Sequence, residues 1–336
     1  MLPGTPLDLD LPNGTFLARL ARVDRSAYDV LTDGGHLRLP PLPAPRDPLQ
    51  AATVGDWLAV TDAAVHSLLP RRTLLARGAS AGTSTAQPLA ANVDVVLICA
   101  GLGAPPSVRR IERLLTLSWE SGATPVVVLT KSDLCADVDA AIGAVRPHAP
   151  GADVVAVSAA RGELDALRRY VTEGATIALL GSSGAGKSTL VNALAGATVM
   201  AIGDTREVDG KGRHTTSHRE LVVLPNRAVV IDTPGLRGVA LHAAAEDGLS
   251  RAFAEVAELA AACRFTDCRH GDEPGCAITA SVVAGDLSQA RVDSWHRLQR
   301  ELAFQARRTD VRLQAEERQK WKRIHKDVRS RGAIRP

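Results

Sequence analysis

The nine residues 181–189, GSSGAGKST, constrain the fold of this chain more than any other part of its sequence. They match the pattern G-x-x-x-x-G-K-[ST], in which glycines let backbone N–H groups turn inward around a phosphate. The apolar run 176–180 precedes the first glycine, and residues 190–196 continue at helical spacing until a glycine ends them. This order of strand, loop and helix predicts a phosphate-binding loop rather than an ordinary glycine-rich turn.

Each residue of this loop is a candidate for nucleotide binding. The bound phosphate would lie at the N-terminus of the following helix, where the helix dipole favours negative charge. The ammonium of Lys187 would reach the β- and γ-phosphate oxygens, and the hydroxyl of Ser188 would hold Mg²⁺. The nucleotide-binding residues expected here are Gly181, Ser182, Ser183, Gly184, Ala185, Gly186, Lys187, Ser188 and Thr189.

Length and composition limit the organisation of the chain. With 336 residues and 45% hydrophobic content, the chain is long enough for two or three domains. Its apolar runs fall short of the ~20 residues of a membrane span, and its N-terminus does not resemble a secretory signal. We therefore expect a cytoplasmic protein with no membrane partner, and we expect a monomer.

The first 90 residues predict a small β module. Residues 15–39 alternate between apolar and polar side chains around Asp33-Gly34-Gly35, which is a hairpin signal, and residues 54–62 predict another strand. Several short strands in this space form a barrel or a sandwich, and an oligonucleotide-binding (OB-like) barrel is one of the alternatives. The small, polar segment 76–92 predicts a linker.

Strands alternate with helices after this segment. Apolar runs at 93–101, 124–130, 152–158 and 176–180 are separated by stretches of helix length. This alternation is typical of βαβ units and predicts a parallel sheet with helices on both faces.

A loop that recognises the base is predicted at the end of the run 124–130. The aspartate of an Asn-Lys-x-Asp loop accepts from guanine N1–H and the 2-amino group, which adenine does not offer. The candidate loop consists of Thr130, Lys131, Ser132 and Asp133, with threonine in place of the usual asparagine. At the end of the next strand, Ser158 and Ala159 would direct a backbone N–H at guanine O6.

Further candidates for the phosphate and Mg²⁺ follow the phosphate loop. In the sequence VVIDTPG, Asp232 would bind Mg²⁺ through water, and the N–H of Gly235 would contact the γ-phosphate. Thr215 or Thr216 in the loop 212–218 could supply a second hydroxyl ligand, although the same loop also fits a disordered linker. The base-reading loop therefore precedes the phosphate loop, which is the reverse of most GTPases, and such a permutation preserves a site built on one edge of a sheet.

The C-terminal part combines a metal-binding pattern with a basic tail. Four soft ligands lie within fourteen residues and suit one closed, structural Zn²⁺ site: Cys263, Cys268, His270 and Cys276. From residue 291 to the end, 14 Lys and Arg stand against 6 Asp and Glu, a net charge of +8. This mostly helical tail is either a solvated helix face or a surface that contacts RNA phosphates.

Together, these motifs resemble the ribosome small-subunit-dependent GTPase A family over nearly the whole chain. The resemblance implies an α/β fold in which a circularly permuted P-loop GTPase domain, residues 89–245, follows a small OB-like β-barrel, residues 1–88. It also implies a C-terminal helical zinc-binding domain, residues 246–336. The implied partners are GTP, GDP and the small ribosomal subunit with its rRNA, and the implied role is late maturation of that subunit.

One departure from other GTPases concerns the attacking water. Leu236 occupies the position where many GTPases carry a glutamine, so intrinsic hydrolysis should be slow. The candidate catalytic residue is His214, beside the threonines, although a solvent-facing histidine fits this position equally well. Two other functions remain open from the sequence: a GTP-binding adaptor without stimulated hydrolysis, and an ATPase or metal-delivery protein, which Asp133 disfavours.

Overall fold

The structure, a computed structural model, describes residues 2–5, 10–78, 86–200, 220–232, 241, 245–271 and 273–309. Its strands are β1 Phe16–Val23, β2 Tyr28–Thr32, β3 Gly35–Leu39, β4 Trp57–Val60, β5 Val65–Leu68, β6 Leu74–Arg77, β7 Gln87–Ala91, β8 Val95–Gly101, β9 Thr124–Thr130, β10 Asp153–Ala156, β11 Thr176–Gly181, β12 Glu220–Val223 and β13 Val229–Asp232. Its α-helices are α1 Val108–Glu120, α2 Val138–Val145, α3 Lys187–Ala195, α4 Glu246–Ala252, α5 Ala254–Ala261, α6 Ala277–Ala284 and α7 Gln289–Thr309. Among these helices, none combines the length and apolar character that a bilayer crossing requires.

Parallel strands form the centre of the main sheet. The strand order is β10-β9-β8-β11-β13, all parallel, and β12 is added antiparallel to β13. Along β8, Ile98 lies in one apolar core together with Leu115 of α1, whereas Leu97 lies in a second core together with Leu190 of α3. Successive strand residues point to opposite faces, so both faces are covered. The predicted parallel sheet with helices on both faces is confirmed.

The N-terminal strands form a β-rich unit that joins this sheet. Strand β1 pairs antiparallel with β2 and β4, and β4 pairs with β5. The hairpin predicted at residues 33–35 is confirmed, because Thr32 pairs with Gly35 at the end of β2 and β3. Near the end of β1, Arg22 pairs with Glu220 of β12, so both groups of strands belong to one 11-stranded sheet.

The linker predicted at residues 76–92 is wrong at both of its ends. Strands β6 and β7 pair antiparallel there, from Leu74 opposite Ala91 to Arg77 opposite Gln87. Ala76, Ala90 and Ala91 are buried in this ribbon. Small residues fit a linker and a tightly packed strand pair equally well, so composition did not distinguish the two.

The C-terminal helices pack against α1, on one face of the main sheet. In α4, the backbone of Gly248 lies so close that an added Cβ would be 2.3 Å from the carbonyl oxygen of Thr116. The N–H of Gly248 donates to the Glu120 carboxylate at 3.0 Å, and the Arg251 guanidinium lies 4.1 Å from the centre of the Trp119 ring. Only glycine permits this approach of the two helix backbones.

A buried ion pair connects α1 to α7. Arg291 of α7 donates to the Glu112 carboxylate at 2.8 Å, to the Glu255 carboxylate at 2.7 Å and to the carbonyl of Ala252 at 2.6 Å. The side chains of Arg291 and Glu112 are only 3% and 1% exposed. Burial opposes ionisation of Glu112, but hydrogen bonds from His148 and its other partners outweigh it and lower the pKa of this carboxyl.

We expect Arg291→Ala to lower the free energy of unfolding by about 3 kcal/mol, because removing one partner of a buried pair leaves the Glu112 carboxylate without its main counter-charge. Urea unfolding at neutral pH measures this loss. The matched control is Arg300→Ala, an exposed arginine on the same helix, which should change stability by less than about 0.5 kcal/mol. Equal effects of the two changes would contradict the assignment.

Candidate nucleotide site and metal cluster

The phosphate loop starts at the carboxyl end of the central strand β11 and ends at the first turn of α3. Gly181 has φ +149°, and an added Cβ would lie 2.4 Å from the carbonyl oxygen of Cys99 on the neighbouring strand. Gly186 has φ +79°, in the left-handed region, at the position immediately before α3. Both positions therefore require glycine, the first by close backbone approach and the second by backbone conformation.

The predicted phosphate-binding lysine lies over this loop. The Lys187 ammonium donates to the carbonyls of Gly181 at 3.0 Å and Ser182 at 2.9 Å. Burial lowers the pKa of Lys187, and the nearby Cys99 and Asp232 oppose that shift. The loop thus holds one positive charge, the Lys187 ammonium, at the first turn of α3, where the helix dipole also favours an anionic ligand.

The carboxylate of Asp232 lies at the same edge of the sheet. Asp232 is the last residue of β13 and pairs in register with Leu179 of β11. It is buried, with 6% of its surface exposed. A carboxylate beside a lysine ammonium and a helix N-terminus is a typical arrangement for Mg²⁺ bound to phosphate.

The loop predicted to recognise the base follows β9, two strands away from β11. Lys131 adopts φ +59°, which turns the chain into a single helical turn that carries Asp133. The hydroxyl of the buried Ser158 donates to Asp133 Oδ1 at 2.6 Å, and this hydrogen bond lowers the pKa of Asp133. The lowered pKa favours the ionised carboxylate of Asp133. A carboxylate has only acceptor oxygens and can accept from two N–H donors.

A hydrogen bond connects the two loops. The hydroxyl of Thr130, at the end of β9, donates to the carbonyl of Ala185 in the phosphate loop at 2.6 Å. Thr130 is almost fully buried, with 2% of its surface exposed. The threonine that departs from the usual asparagine thus fixes the spacing between the two loops. No sequence pattern predicts this bond, because its partners are 55 residues apart.

The structure brings together most of the residues predicted for the nucleotide. Thr130, Asp133 and Ser158 lie at one end of the candidate site, and residues 181–189 with Asp232 lie at the other. The predicted residues His214, Thr215 and Gly235 lie outside the described residues. The side-chain bond from Ser158 to Asp133 was missed, since the sequence suggested only a backbone role for Ser158.

The four predicted metal ligands also meet in space. One ligand atom from each of Cys263, Cys268, His270 and Cys276 lies within 4.8 Å of all the others. Tetrahedral Zn²⁺ with bonds of about 2.3 Å to sulfur requires sulfur atoms about 3.8 Å apart, so this spacing fits the ion. The donor set of three thiols and one imidazole is the set that zinc prefers.

Backbone donors surround these sulfur atoms. The N–H groups of His270, Ala277 and Thr279 donate to the Sγ atoms of Cys268, Cys263 and Cys276 at 3.4, 3.4 and 3.5 Å, in that order. Burial opposes ionisation of Cys276, but hydrogen bonds from its neighbours outweigh it and lower the pKa of this thiol to about 6. Donation to sulfur favours the thiolate, the form that binds a metal. The N–H of His270 likewise lowers the pKa of Cys268, but burial and hydrogen bonds with Cys276 and Cys263 outweigh it and raise that pKa to about 11.

The order of the loops on this sheet defines a class of protein. The loop after β9, which is predicted to read the base, precedes the phosphate loop after β11 along the chain, yet both lie at the same edge of a parallel sheet. This is a circularly permuted P-loop nucleotide-binding protein.

Comparison with known proteins shows which family this is. The profile of the RsgA GTPase family matches residues 68–242. A protein of Streptomyces avermitilis named "Small ribosomal subunit biogenesis GTPase RsgA" is 48% identical over 92% of this chain and 86% of its own length. The chain belongs to the RsgA GTPase family, and it is a GTP-hydrolysing enzyme of the permuted class.

Solved structures support the fold. The crystal structure of YjeQ from Thermotoga maritima has a TM-score of 0.61 at 23% identity, over 86% of this chain and 98% of its own. YloQ, described as a circularly permuted GTPase, has a TM-score of 0.59 at 22% identity, over 86% of this chain and 96% of its own. The permuted fold predicted from the sequence is therefore confirmed.

Thr130→Val should weaken GTP binding about tenfold, because it leaves the Ala185 carbonyl without its donor. The two loops are then no longer held at a fixed separation. Thr130→Ser keeps the hydroxyl and should bind GTP within about twofold of the unchanged protein. Isothermal titration calorimetry of both variants with GTP and Mg²⁺ measures the difference. Equal affinities for the valine and serine variants would show that the bond has no role in binding.

Proposed function

We propose that this protein binds the small ribosomal subunit and hydrolyses GTP to GDP and phosphate during late maturation of that subunit. The observation that carries the proposal is the 48% identity to a protein named for small-subunit biogenesis, over 92% of this chain. The site supports it, because a base-reading loop and a phosphate loop at one sheet edge, linked by Thr130, suit one guanine nucleotide.

Within this proposal, each end of the nucleotide has its own protein contacts. Asp133 accepts from guanine N1–H and the 2-amino group, the Lys131 stem packs along the base, and the backbone at Ser158 and Ala159 faces O6. At the other end, residues 181–189 surround the phosphates, and the Lys187 ammonium moves from its loop carbonyls to the phosphate oxygens. The cost of that exchange is small, because one set of oxygen acceptors replaces another.

Oxygen donors at the phosphate end fit Mg²⁺, which prefers hydroxyl, carboxylate and phosphate ligands. Ser188 would hold the ion directly, Asp232 through water, and Thr215 would add a hydroxyl. When bound, Mg²⁺ neutralises charge on the β- and γ-phosphates. The contact from Gly235 to the γ-phosphate remains a prediction from the sequence.

The attacking water requires a group that Leu236 does not offer. His214 is the candidate for this role, since an imidazole can orient or deprotonate water and a leucine side chain cannot. Replacement of His214 by alanine should remove subunit-stimulated turnover while nucleotide binding persists.

In this proposal the chain is a cytoplasmic monomer of three units, residues 1–88, 89–245 and 246–336. The third unit carries structural Zn²⁺ on its three cysteines and one histidine. It also supplies an RNA-facing surface, because Arg297, Arg300 and His296 of α7 line a cavity of about 460 Å³ beside His270, with Asp293 as the one acidic residue among the described residues of its lining. Arginine side chains around an open cavity suit the phosphates of rRNA.

GTP turnover should rise when purified small ribosomal subunits are added, and the stimulation should fall steeply as salt is raised, because rRNA contacts release counterions. Phosphate release measured across a salt series gives both quantities. Unchanged turnover in the presence of subunits would instead indicate a GTP-binding adaptor.

Asp133→Asn should lose the preference for GTP over ATP, and the exposed Asp139→Asn in α2 is its control.

Purified protein should contain about one zinc per chain, and Cys263→Ser should lower that content and the melting temperature. Metal analysis and thermal unfolding measure the two effects. Cys135→Ser changes a cysteine outside the cluster and should leave both unchanged. Full zinc content in the Cys263 variant would contradict a four-ligand site.

A further inference from the structure

The loop that follows β10 is closed by backbone hydrogen bonds beside the predicted base-reading loop. Ser158 and Glu163 exchange two of these bonds, with N–O distances of 3.2 and 2.9 Å. Between them, Gly162 has φ +74°, in the left-handed region that glycine adopts without strain. Residues 158–163 therefore form a closed turn with a defined backbone.

One hydroxyl places Arg161 next to Asp133. The Ser158 hydroxyl donates to Asp133 Oδ1 at 2.6 Å and accepts from the backbone N–H of Arg161 at 3.3 Å. The hydrogen bond from Ser158 is the largest cause of the lowered pKa of Asp133, and the positive charge of Arg161 adds to it. Arg161 thus lies beside the carboxylate that accepts from guanine in the proposed function.

The Arg161 side chain is available to a ligand. It is exposed, and within the described part of the chain no ion pair involves its guanidinium. The next arginines differ, because Arg168 pairs with Asp165 at 2.8 Å and Arg169 pairs with Asp153 at 3.3 Å. A ligand at the base end can therefore engage the Arg161 guanidinium without breaking an ion pair.

Lys131 approaches Asp133 from the opposite side. An added Cβ at Gly101 would lie 3.6 Å from Lys131 Cδ, and one at Gly186 would lie 3.8 Å from Lys131 Cε. Gly101 ends β8 and Gly186 follows β11, whereas Arg161 follows β10. In the strand order β10-β9-β8-β11, the loop after β9 lies between these positions. Asp133 therefore has one cationic side chain on each flank.

The loops at this edge of the sheet supply no aromatic ring for the base. No Phe, Tyr or Trp occurs in the four loops that follow these parallel strands, residues 101–107, 130–134, 158–163 and 181–189. The Lys131 stem covers one face of a guanine that is bound to Asp133, so the other face requires a second surface. A guanidinium is planar and stacks on aromatic rings, whereas an ammonium is a compact point charge.

We propose that Arg161 is a nucleotide-binding residue whose guanidinium stacks on the guanine ring, on the face opposite the Lys131 stem. This inference rests on the proposed function for the position of the base beside Asp133. Every base presents a π-face, so stacking contributes affinity while the preference for guanine stays with Asp133. Arg161 does not touch the phosphates, so turnover at saturating GTP stays unchanged when it is replaced.

Calorimetric titrations with GDP and GTP, in the presence of Mg²⁺, test this role. Arg161→Ala should weaken binding of both nucleotides about tenfold, a size typical of a lost stacking contact with one base. Arg161→Lys keeps the charge but not the plane, and should lose most of the same affinity. Arg161→Trp restores a flat surface without charge, and should bind within about twofold of the unchanged protein. Arg168→Ala, an exposed arginine outside the turn, is the control and should bind normally.

A salt series separates stacking from attraction to the phosphates. The factor lost in Arg161→Ala should be the same at low and high salt, because a contact between exposed charges would be screened as salt is raised. Arg161→Ala should also keep the preference for GTP over ATP. Melting temperatures close to that of the unchanged protein confirm that each variant is folded.

Two results would overturn the proposal. One is an affinity of Arg161→Ala within twofold of the unchanged protein. The other is full affinity in Arg161→Lys together with the alanine-like loss in Arg161→Trp, which would assign the effect to charge. Failure of the proposed function is recognised separately, because small subunits would then leave turnover of the unchanged protein unaltered, while the nucleotide affinities of the variants still decide the role of Arg161.

Discussion

Parallel pairing of β8, β9, β11 and β13 is the constraint on which the rest of the structure depends. Parallel strands end at the same edge of their sheet, so the loops that follow them meet whatever their order along the chain. This is why the base-reading loop can precede the phosphate loop without loss of the site. The Thr130 hydroxyl donates to the Ala185 carbonyl with 2.6 Å between the two oxygen atoms, and this hydrogen bond fixes the position of one loop relative to the other.

Helix α1 covers one face of the sheet and also binds the C-terminal helix α7. Its apolar side enters the core with β8, while Glu112 and Arg113 on its other side pair with Arg291 and Glu301 of α7. Helix α1 therefore attaches the C-terminal helices to the nucleotide-binding sheet. Such an attachment couples the helices that carry the cysteine–histidine cluster to the sheet that carries the phosphate loop.

The sequence predicted best those features that arise within a few residues. The glycines of the phosphate loop, the hairpin at residues 33–35 and the spacing of the four metal ligands each depend on local geometry, and the structure brings each set together as expected. Errors arose where local signals were ambiguous. The two ends of the expected linker belong to β6 and β7. Alanine is common both in linkers and in tightly packed strand pairs, so its presence did not distinguish the two.

By itself, the sequence determined the chemistry of the site, since a phosphate loop and a cysteine–histidine cluster each require particular residue types at fixed short spacings. Only the tertiary structure decided which distant side chains support that chemistry. Ser158 with Asp133 and Thr130 with Ala185 are separated by 25 and 55 residues. Such pairs depend on strand order and helix packing, and a linear pattern of residue types carries no record of either.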